Sequence, residues 1–138
     1  MSPFLAERLV ELRRHLDHLA TLRPRVRSAD DLARDLSLHN DVLFSLLTVC
    51  QLVIDVASDL AARRGDRFED YTGAVRSLGH DPRFPAELVR ALERLPGFRN
   101  VLIHEYVSLD LARAVTALDE LAPVERFLEI VRRGALEG

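Results

Sequence analysis

The sequence contains no lysine and no tryptophan, and it has a single cysteine, Cys50. One thiol per chain excludes a disulfide framework and a zinc cluster built from the thiolates of one protomer, so a reducing, cytoplasmic location is expected. All 19 basic residues are arginine, which is typical of a G+C-rich genome, although arginine is also the better bidentate ligand for phosphate. The formal net charge of -3 gives no strong sign of nucleic-acid binding, because dedicated phosphate-binding proteins are usually basic.

Membrane-spanning runs, secretion signals and metal-binding spacings are also lacking. No uncharged run approaches the roughly 18 residues that a spanning helix needs, and no signal peptide opens the chain, so no membrane partner is expected. No two histidines have the i, i+4 spacing with a carboxylate that suits a helical metal site, so neither a metal nor another cofactor is expected. The 138 residues are 48% hydrophobic and 30% charged, which is typical of one globular domain over residues 1–138.

Helical periodicity dominates the first half of the chain. Five leucines from Leu5 to Leu19 recur at spacings of four and three, which predicts a first helix with one apolar stripe. Ser28 followed by Asp31 resembles a capping box and predicts a short second helix. The most apolar segment, residues 37–64, predicts the central helix of the core, which Gly65 ends.

The second half repeats the helical pattern with clear interruptions. Pro96 and Gly97 are expected to break the chain between two helices, and Pro123 is expected to kink or break the last one. The predicted helices cover residues 66–78, 85–95, 98–109 and 110–133. No alternating pattern typical of strands is present. The sequence therefore predicts an all-α, antiparallel bundle of about five to seven helices.

The segment that begins at Arg99 stands out chemically. An arginine five residues before a histidine is expected about 0.7 times by chance in this composition, and the chain has three such pairs. Only Arg99 and His104 also have an asparagine after the arginine and a tyrosine two residues beyond the histidine. Asn100 is an i, i+4 neighbour of His104 and is expected to orient its imidazole. Tyr106 is expected two turns from Arg99 on the same helix face.

With this pattern the sequence resembles the HepT-like branch of the HEPN ribonucleases, small all-α toxins that carry R-x-x-x-x-H-x-Y. Arg99, His104 and Tyr106 fill the pattern, and Asn100 is the usual residue after the arginine. Residues 54–57 and 71–78 are also similar in order and spacing. The resemblance implies a HEPN-like domain and the toxin of a toxin–antitoxin system that cleaves RNA (tRNA or mRNA). It also implies an MntA-like nucleotidyltransferase antitoxin that adenylylates Tyr106.

The implied reaction is metal-independent cleavage of RNA, in which the 2′-hydroxyl attacks the neighbouring phosphate. Arg99 is expected to hold two phosphate oxygens, and His104 is expected to act as base or acid. One histidine does not easily serve both proton transfers, so a two-fold homodimer with a composite cleft is expected. An AMP group on Tyr106 is expected to put a bulky anion beside Arg99 and to fill that cleft.

Two other interpretations remain open from the sequence. The chain is alternatively a non-catalytic helical module that binds nucleotide or substrate for a partner nucleotidyltransferase. In purely structural roles, Arg99 would be a solvated residue paired with a carboxylate such as Glu105, and His104 and Tyr106 would be packing or hydrogen-bonded residues. Tyr71 is interpreted as a packing residue. Asp55, inside the apolar central helix, either binds a neighbouring arginine or helps to shape the dimer.

Overall fold

A computed structural model describes residues 2–137, and this part of the chain contains helices and no strand. The α-helices are α1 (Pro3–Leu22), α2 (Ala29–Arg34), α3 (Leu36–Arg64), α4 (Tyr71–Arg76), α5 (Ala86–Leu92), α6 (Leu95–His104), α7 (Leu111–Leu118) and α8 (Ala122–Glu137). Two short 3-10 segments, Arg23–Arg25 and Ser77–His80, follow α1 and α4. The predicted all-α class is confirmed.

The longest helix, α3, packs against α1 on one side and α6 on another. All the leucines of the α1 stripe are buried, as the four-three spacing predicts. Burying one such side chain stabilises the fold by about 1.5–3 kcal/mol. The carboxylate of Asp35 accepts a hydrogen bond from the backbone N–H of Leu38 and caps the start of α3. Gly65, with a φ of 77°, ends the helix in the left-handed conformation that favours glycine.

By length and composition alone, α3 is long and apolar enough to cross a membrane. In the bundle, 56% of its most apolar window is buried, which is the arrangement of a core helix. Its buried residues join those of the other helices in one hydrophobic cluster. Cys50 of α3 is part of this interior, and burial raises the pKa of its thiol to about 12, so the thiol stays protonated near neutral pH.

The C-terminal helix α8 closes the bundle by packing against α1 and α5. Phe127 is completely buried, and its ring lies 5.9 Å from the ring of Phe84. At the surface, the guanidinium of Arg13 donates two hydrogen bonds to the carboxylate of Glu125, at 2.7 and 2.8 Å. This bidentate pair connects the first and last helices of the described chain.

Several predicted helix boundaries are wrong. The fourth helix begins at Tyr71 and not at residue 66, because the carboxylate of Asp70 accepts a hydrogen bond from the N–H of Gly73 and caps the helix there. Ser28 does precede α2, but its side chain makes no capping bond. The Asp31 carboxylate instead accepts from the backbone N–H of Arg27, one residue before the N-cap, so the complete capping box is not formed.

The predicted break between two helices is present, but it lies at Glu93 and Arg94, and Pro96 and Gly97 are inside the first turn of α6. Proline is tolerated there, since a first-turn N–H has no helical acceptor to lose. The final predicted helix is divided into α7 and α8, and Pro123 occupies the first turn of α8. The expected break near Pro123 is therefore confirmed, and it brings the number of α-helices in the described residues to eight.

Candidate functional site

The helix α6 carries three of the four residues that the sequence singles out. Arg99 lies in its middle, half-buried, and His104 is its last residue and exposed. Over five residues, the helix rises roughly 7.5 Å and turns about 140°. A ligand that contacts both side chains must therefore span this separation.

Arg99 is held by polar contacts on two edges of its guanidinium. Its Nε donates to Oε1 of Gln51 on α3 at 2.9 Å, and its Nη1 donates to Oδ1 of Asn100 at 2.9 Å. Its Cζ lies 5.6 Å from the ring centroid of Tyr71, at the start of α4. No hydrogen bond to Nη2 and no carboxylate within 4 Å is found among the side chains of residues 2–134. The guanidinium is thus oriented while its charge is uncompensated.

His104 is exposed at the end of α6, and its ring makes no hydrogen bond or ion pair with the described residues. Asn100 makes no hydrogen bond to this imidazole within the described chain, and its oxygen Oδ1 accepts from Nη1 of Arg99. The orienting role predicted for Asn100 therefore has no supporting contact within one chain. Asn100 contributes to holding Arg99.

Tyr106 lies outside the helix, in the turn that follows it. The chain leaves α6 at His104, and the N–H of Ser108 donates to the carbonyl of Glu105 at 3.1 Å to close the turn. The prediction that Tyr106 lies on the same helix face as Arg99 is therefore wrong. A residue beyond the helix end no longer follows the 3.6-residue period.

The Tyr106 side chain packs on the N-terminal part of α3. Its hydroxyl donates to Oδ1 of Asn40 at 2.8 Å and lies 3.5 Å from Nδ1 of His39. The rings of Tyr106 and His39 meet edge to face, with centroids 5.5 Å apart. Asn40 and Gln51 are about three turns apart on α3, or roughly 16 Å. Tyr106 and Arg99 are therefore anchored at different points along this helix.

An apolar surface surrounds Tyr106. The apolar patch is defined as Phe44, Ile103, Tyr106 and Val107, which are 63%, 41%, 42% and 100% exposed. Phe44 and Tyr106 line one hollow of about 480 Å³, and Ile103 and Val107 are close to Tyr106 in the chain. Exposed apolar side chains that lie together, as the rings of Phe44 and Tyr106 do, are typical of a surface that another molecule covers.

The sequence pattern does not indicate every residue of the site. Gln51 and Tyr71 contact Arg99, whereas the sequence predicts only a packing role for Tyr71 and no role for Gln51. The available signal was the i, i+4 pair of Gln51 and Asp55 within an apolar helix, where two polar side chains need partners. Asp55 does lie near an arginine, since its Oδ2 is 3.8 Å from Nε of Arg8 on α1.

Metal-ligating side chains do not converge near this site. Within the described side chains, those of residues 2–134, no group of three or more histidine, cysteine, aspartate or glutamate residues is close enough to hold a metal ion. The other histidines have local partners: His15 is 3.0 Å from the Ser45 hydroxyl, His18 is 3.7 Å from Asp41 and His80 is 3.1 Å from Asp66.

Comparison with known proteins identifies the family. The family model described as Ribonuclease HepT-like matches residues 9–131. A protein of Archaeoglobus fulgidus named "Putative RNase" is 31% identical over 116 residues, which cover 81% of this chain and 88% of that protein. A second Archaeoglobus fulgidus protein of the same name is 29% identical over 80 residues, 58% of this chain and 61% of that protein.

Solved structures share the fold at lower sequence identity. The tri-AMPylated HEPN toxin of Shewanella oneidensis, in complex with an MNT antitoxin, has a TM-score of 0.82 and 18% identity. This similarity covers 96% of this chain and 99% of that one. A toxin–antitoxin structure with AMP-PNP has a TM-score of 0.80 and 17% identity, over 95% and 99% of the two chains. With its HEPN-like helical fold and a family match over most of its length, the chain belongs to the HepT-like ribonuclease family.

Proposed function

We infer that this protein is the toxin of a toxin–antitoxin system and a metal-independent endoribonuclease that acts as a homodimer. One observation carries the proposal. The guanidinium of Arg99 is oriented by Gln51 and Asn100, and it has no acidic partner among the described residues. A fixed guanidinium without an acidic partner, on the same helix as an exposed imidazole, suits cleavage of a phosphodiester, because it can stabilise charge that develops on the phosphate. The single cysteine and an RNA substrate are consistent with action in the cytoplasm.

The proposed reaction is transfer of the phosphate within RNA. The 2′-hydroxyl gives its proton to one neutral His104 and attacks the adjacent phosphorus, and the bond to the 5′-oxygen breaks. A protonated His104 of the partner subunit gives its proton to the leaving 5′-oxygen. The products are a 2′,3′-cyclic phosphate and a free 5′-hydroxyl, and two histidines separate the roles of base and acid. The exposed ring of Tyr71 offers a stacking surface for a base beside the bound phosphate.

A homodimer is proposed because one chain has only one histidine of this kind on α6. The apolar patch lies in the same part of the molecule, since Ile103 precedes His104 directly and Val107 follows it by three residues. Pairing two such patches about a two-fold axis would bring two copies of His104 together. The proposed cleft is therefore composite, with groups from both subunits.

We propose that an MntA-like nucleotidyltransferase antitoxin silences this toxin by adenylylating Tyr106. The phenol is 42% exposed, so its oxygen can be reached once it leaves the hydrogen bond to Asn40. The attached AMP would lie close to His104, two residues away, and not against Arg99. It would add a bulky anion at the mouth of the cleft, which repels the RNA backbone and separates the paired patches.

Cleavage of RNA in the presence of EDTA tests the enzyme. The purified protein is expected to produce 2′,3′-cyclic phosphate ends, and the His104→Ala variant is expected to lose at least about 100-fold in rate, the size of one acid–base contribution. His80→Ala is the matched control, because His80 is also exposed but lies on a different element. Equal cleavage by parent and His104→Ala would reveal a contaminating nuclease. Binding of nucleotide without cleavage would favour the non-catalytic module.

A separate experiment tests the proposed adenylylation of Tyr106. Coexpression with an MntA-like nucleotidyltransferase is expected to add the mass of one or more AMP groups to the wild-type chain, with loss of RNA cleavage. Tyr106→Phe should carry no added mass, and Tyr71→Phe should be modified like the wild type. AMP mass retained on Tyr106→Phe would assign the modification to another residue.

A further inference from the structure

The neutral side-chain amide of Gln51 lies between Arg99 and the carboxylate of Asp55. Gln51 accepts a hydrogen bond from Nε of Arg99 through Oε1, at 2.9 Å. Its amide nitrogen Nε2 donates to Oδ1 of Asp55, one turn along α3, at 2.9 Å. The other oxygen of Asp55 lies 3.8 Å from Nε of Arg8 on α1. These four side chains form a continuous polar line from α1, across α3, to α6.

The carboxylate of Asp55 sets the direction of the amide. An ionised carboxylate only accepts hydrogen bonds, so it takes the donor end of Gln51, the –NH₂ group. The carbonyl end of the amide must then point toward Arg99, where it accepts from the guanidinium. Arg8 attracts the same carboxylate from the other side, in a partly buried position where ion pairs are screened less than at the surface.

The amide also keeps the acidic charge away from the guanidinium. Where arginine meets a carboxylate directly in this protein, as Arg13 meets Glu125 at 2.7 Å, its donors are occupied and its charge is compensated. Arg99 instead receives an oriented, uncharged acceptor. Its Nη2 and its full positive charge therefore stay available to a phosphate, which binds charged donors most strongly.

We propose that Gln51 and Asp55 are positioning residues for Arg99: Asp55 fixes the orientation of the Gln51 amide, and the amide fixes the guanidinium without neutralising it. This inference rests on the proposed ribonuclease function, and it concerns how the catalytic arginine is presented to RNA. The proposal depends on the chemical type of the group that holds Arg99, a neutral amide, and not only on the presence of hydrogen bonds to the guanidinium. A carboxylate in its place would hold Arg99 equally well and compete with the phosphate.

A variant in which the amide and the carboxylate exchange places between positions 51 and 55 tests the proposal directly. The double variant Gln51→Glu, Asp55→Asn keeps the net charge and the number of hydrogen bonds. The introduced asparagine amide can donate to the introduced carboxylate, and that carboxylate can accept from Arg99. The melting temperature of the double variant is expected to stay within a few degrees of the wild type. Its kcat/KM on a single-stranded RNA is expected to fall about 10- to 100-fold, less than the roughly 100- to 1,000-fold that follows removal of a charge-stabilising donor, because Arg99 itself stays in place.

Salt dependence separates positioning from a merely structural role. The slope of log(kcat/KM) against log salt is expected to become shallower by about 0.7, the contribution of one phosphate contact on a single strand. Unchanged cleavage and slope in the double variant would overturn the positioning role while leaving the ribonuclease in place. Absence of cleavage by the wild type would instead refute the proposed function, and this inference with it.

A second measurement covers the case in which the double variant does not fold. In Asp55→Asn alone, the side chain at position 55 can present either an oxygen acceptor or an –NH₂ donor, so it no longer fixes the direction of the Gln51 amide. The Nε–H resonance of Arg99 is then expected to broaden in a ¹⁵N spectrum. Asp59→Asn is the matched control, since Asp59 lies one turn further along α3 and pairs with Arg63, at 2.7 Å. It should leave the Arg99 signal unchanged. An Arg99 signal as sharp in Asp55→Asn as in the control would overturn the proposal.

Discussion

Replacement of Val107 by serine tests whether a second copy of this chain covers the apolar patch. Val107 is 100% exposed in the single chain, so its side chain contributes nothing to the core of the monomer. If the dimer buries it, each copy contributes about 1.5–3 kcal/mol to association. Because a two-fold interface contains the residue twice, most of about 3–6 kcal/mol is lost on substitution, which weakens dimerisation by roughly 10²- to 10⁴-fold.

Sedimentation equilibrium over a range of protein concentrations measures this change. The wild type is expected to be dimeric at low micromolar concentration and Val107→Ser mostly monomeric, with the helical circular dichroism of both chains alike. Val10→Ser is the control, because Val10 is 59% exposed but belongs to α1, outside the patch. A wild type that stays monomeric, or a Val107→Ser variant that associates as tightly as the wild type, would refute the reasoning and the composite cleft that depends on it.

Three further predictions concern the fold. Phe127→Ala removes a completely buried ring and is expected to lower the free energy of unfolding by about 3–5 kcal/mol in urea titrations, with Phe127→Leu losing much less. Gly65→Ala meets no atom within 4 Å but must adopt a φ of 77°, so a loss of about 1 kcal/mol is expected, and an unchanged urea midpoint would contradict this. Burial lowers the pKa of His15, so the unfolded chain binds more protons at mildly acidic pH. Stability should therefore fall as the pH drops below about 7, and His15→Gln, compared by melting temperature at about pH 7.5 and 5.5, should show a smaller fall.

Much of the fold follows from local chemistry in the sequence. The leucine spacing of α1 specifies its buried stripe, and the acidic cap at Asp35 and the glycine at position 65 specify the two ends of α3. The boundary errors occur where two local signals compete. Pro96 is compatible both with a break and with a first helical turn, and neighbouring packing decides between them.

The pattern of Arg99, His104 and Tyr106 indicates the family, because that combination is rare by chance and the family match covers residues 9–131. The sequence alone did not reveal how the pattern is arranged in space. Helical spacing predicted Tyr106 beside Arg99, yet α6 ends at His104 and the tyrosine folds back onto Asn40. A helix end depends on the turn and helix that come next, so the spacing rule fails there.

The sequence by itself determined the helical class, the buried stripes and the motif residues that are candidates for the site, since these depend on residue type and on contacts within a turn or two. Only the tertiary structure decided what faces each of those side chains. Gln51 reaches Arg99 across 48 positions of the chain, and such a contact depends on how α3 and α6 pack against each other. No periodicity within either helix encodes that packing.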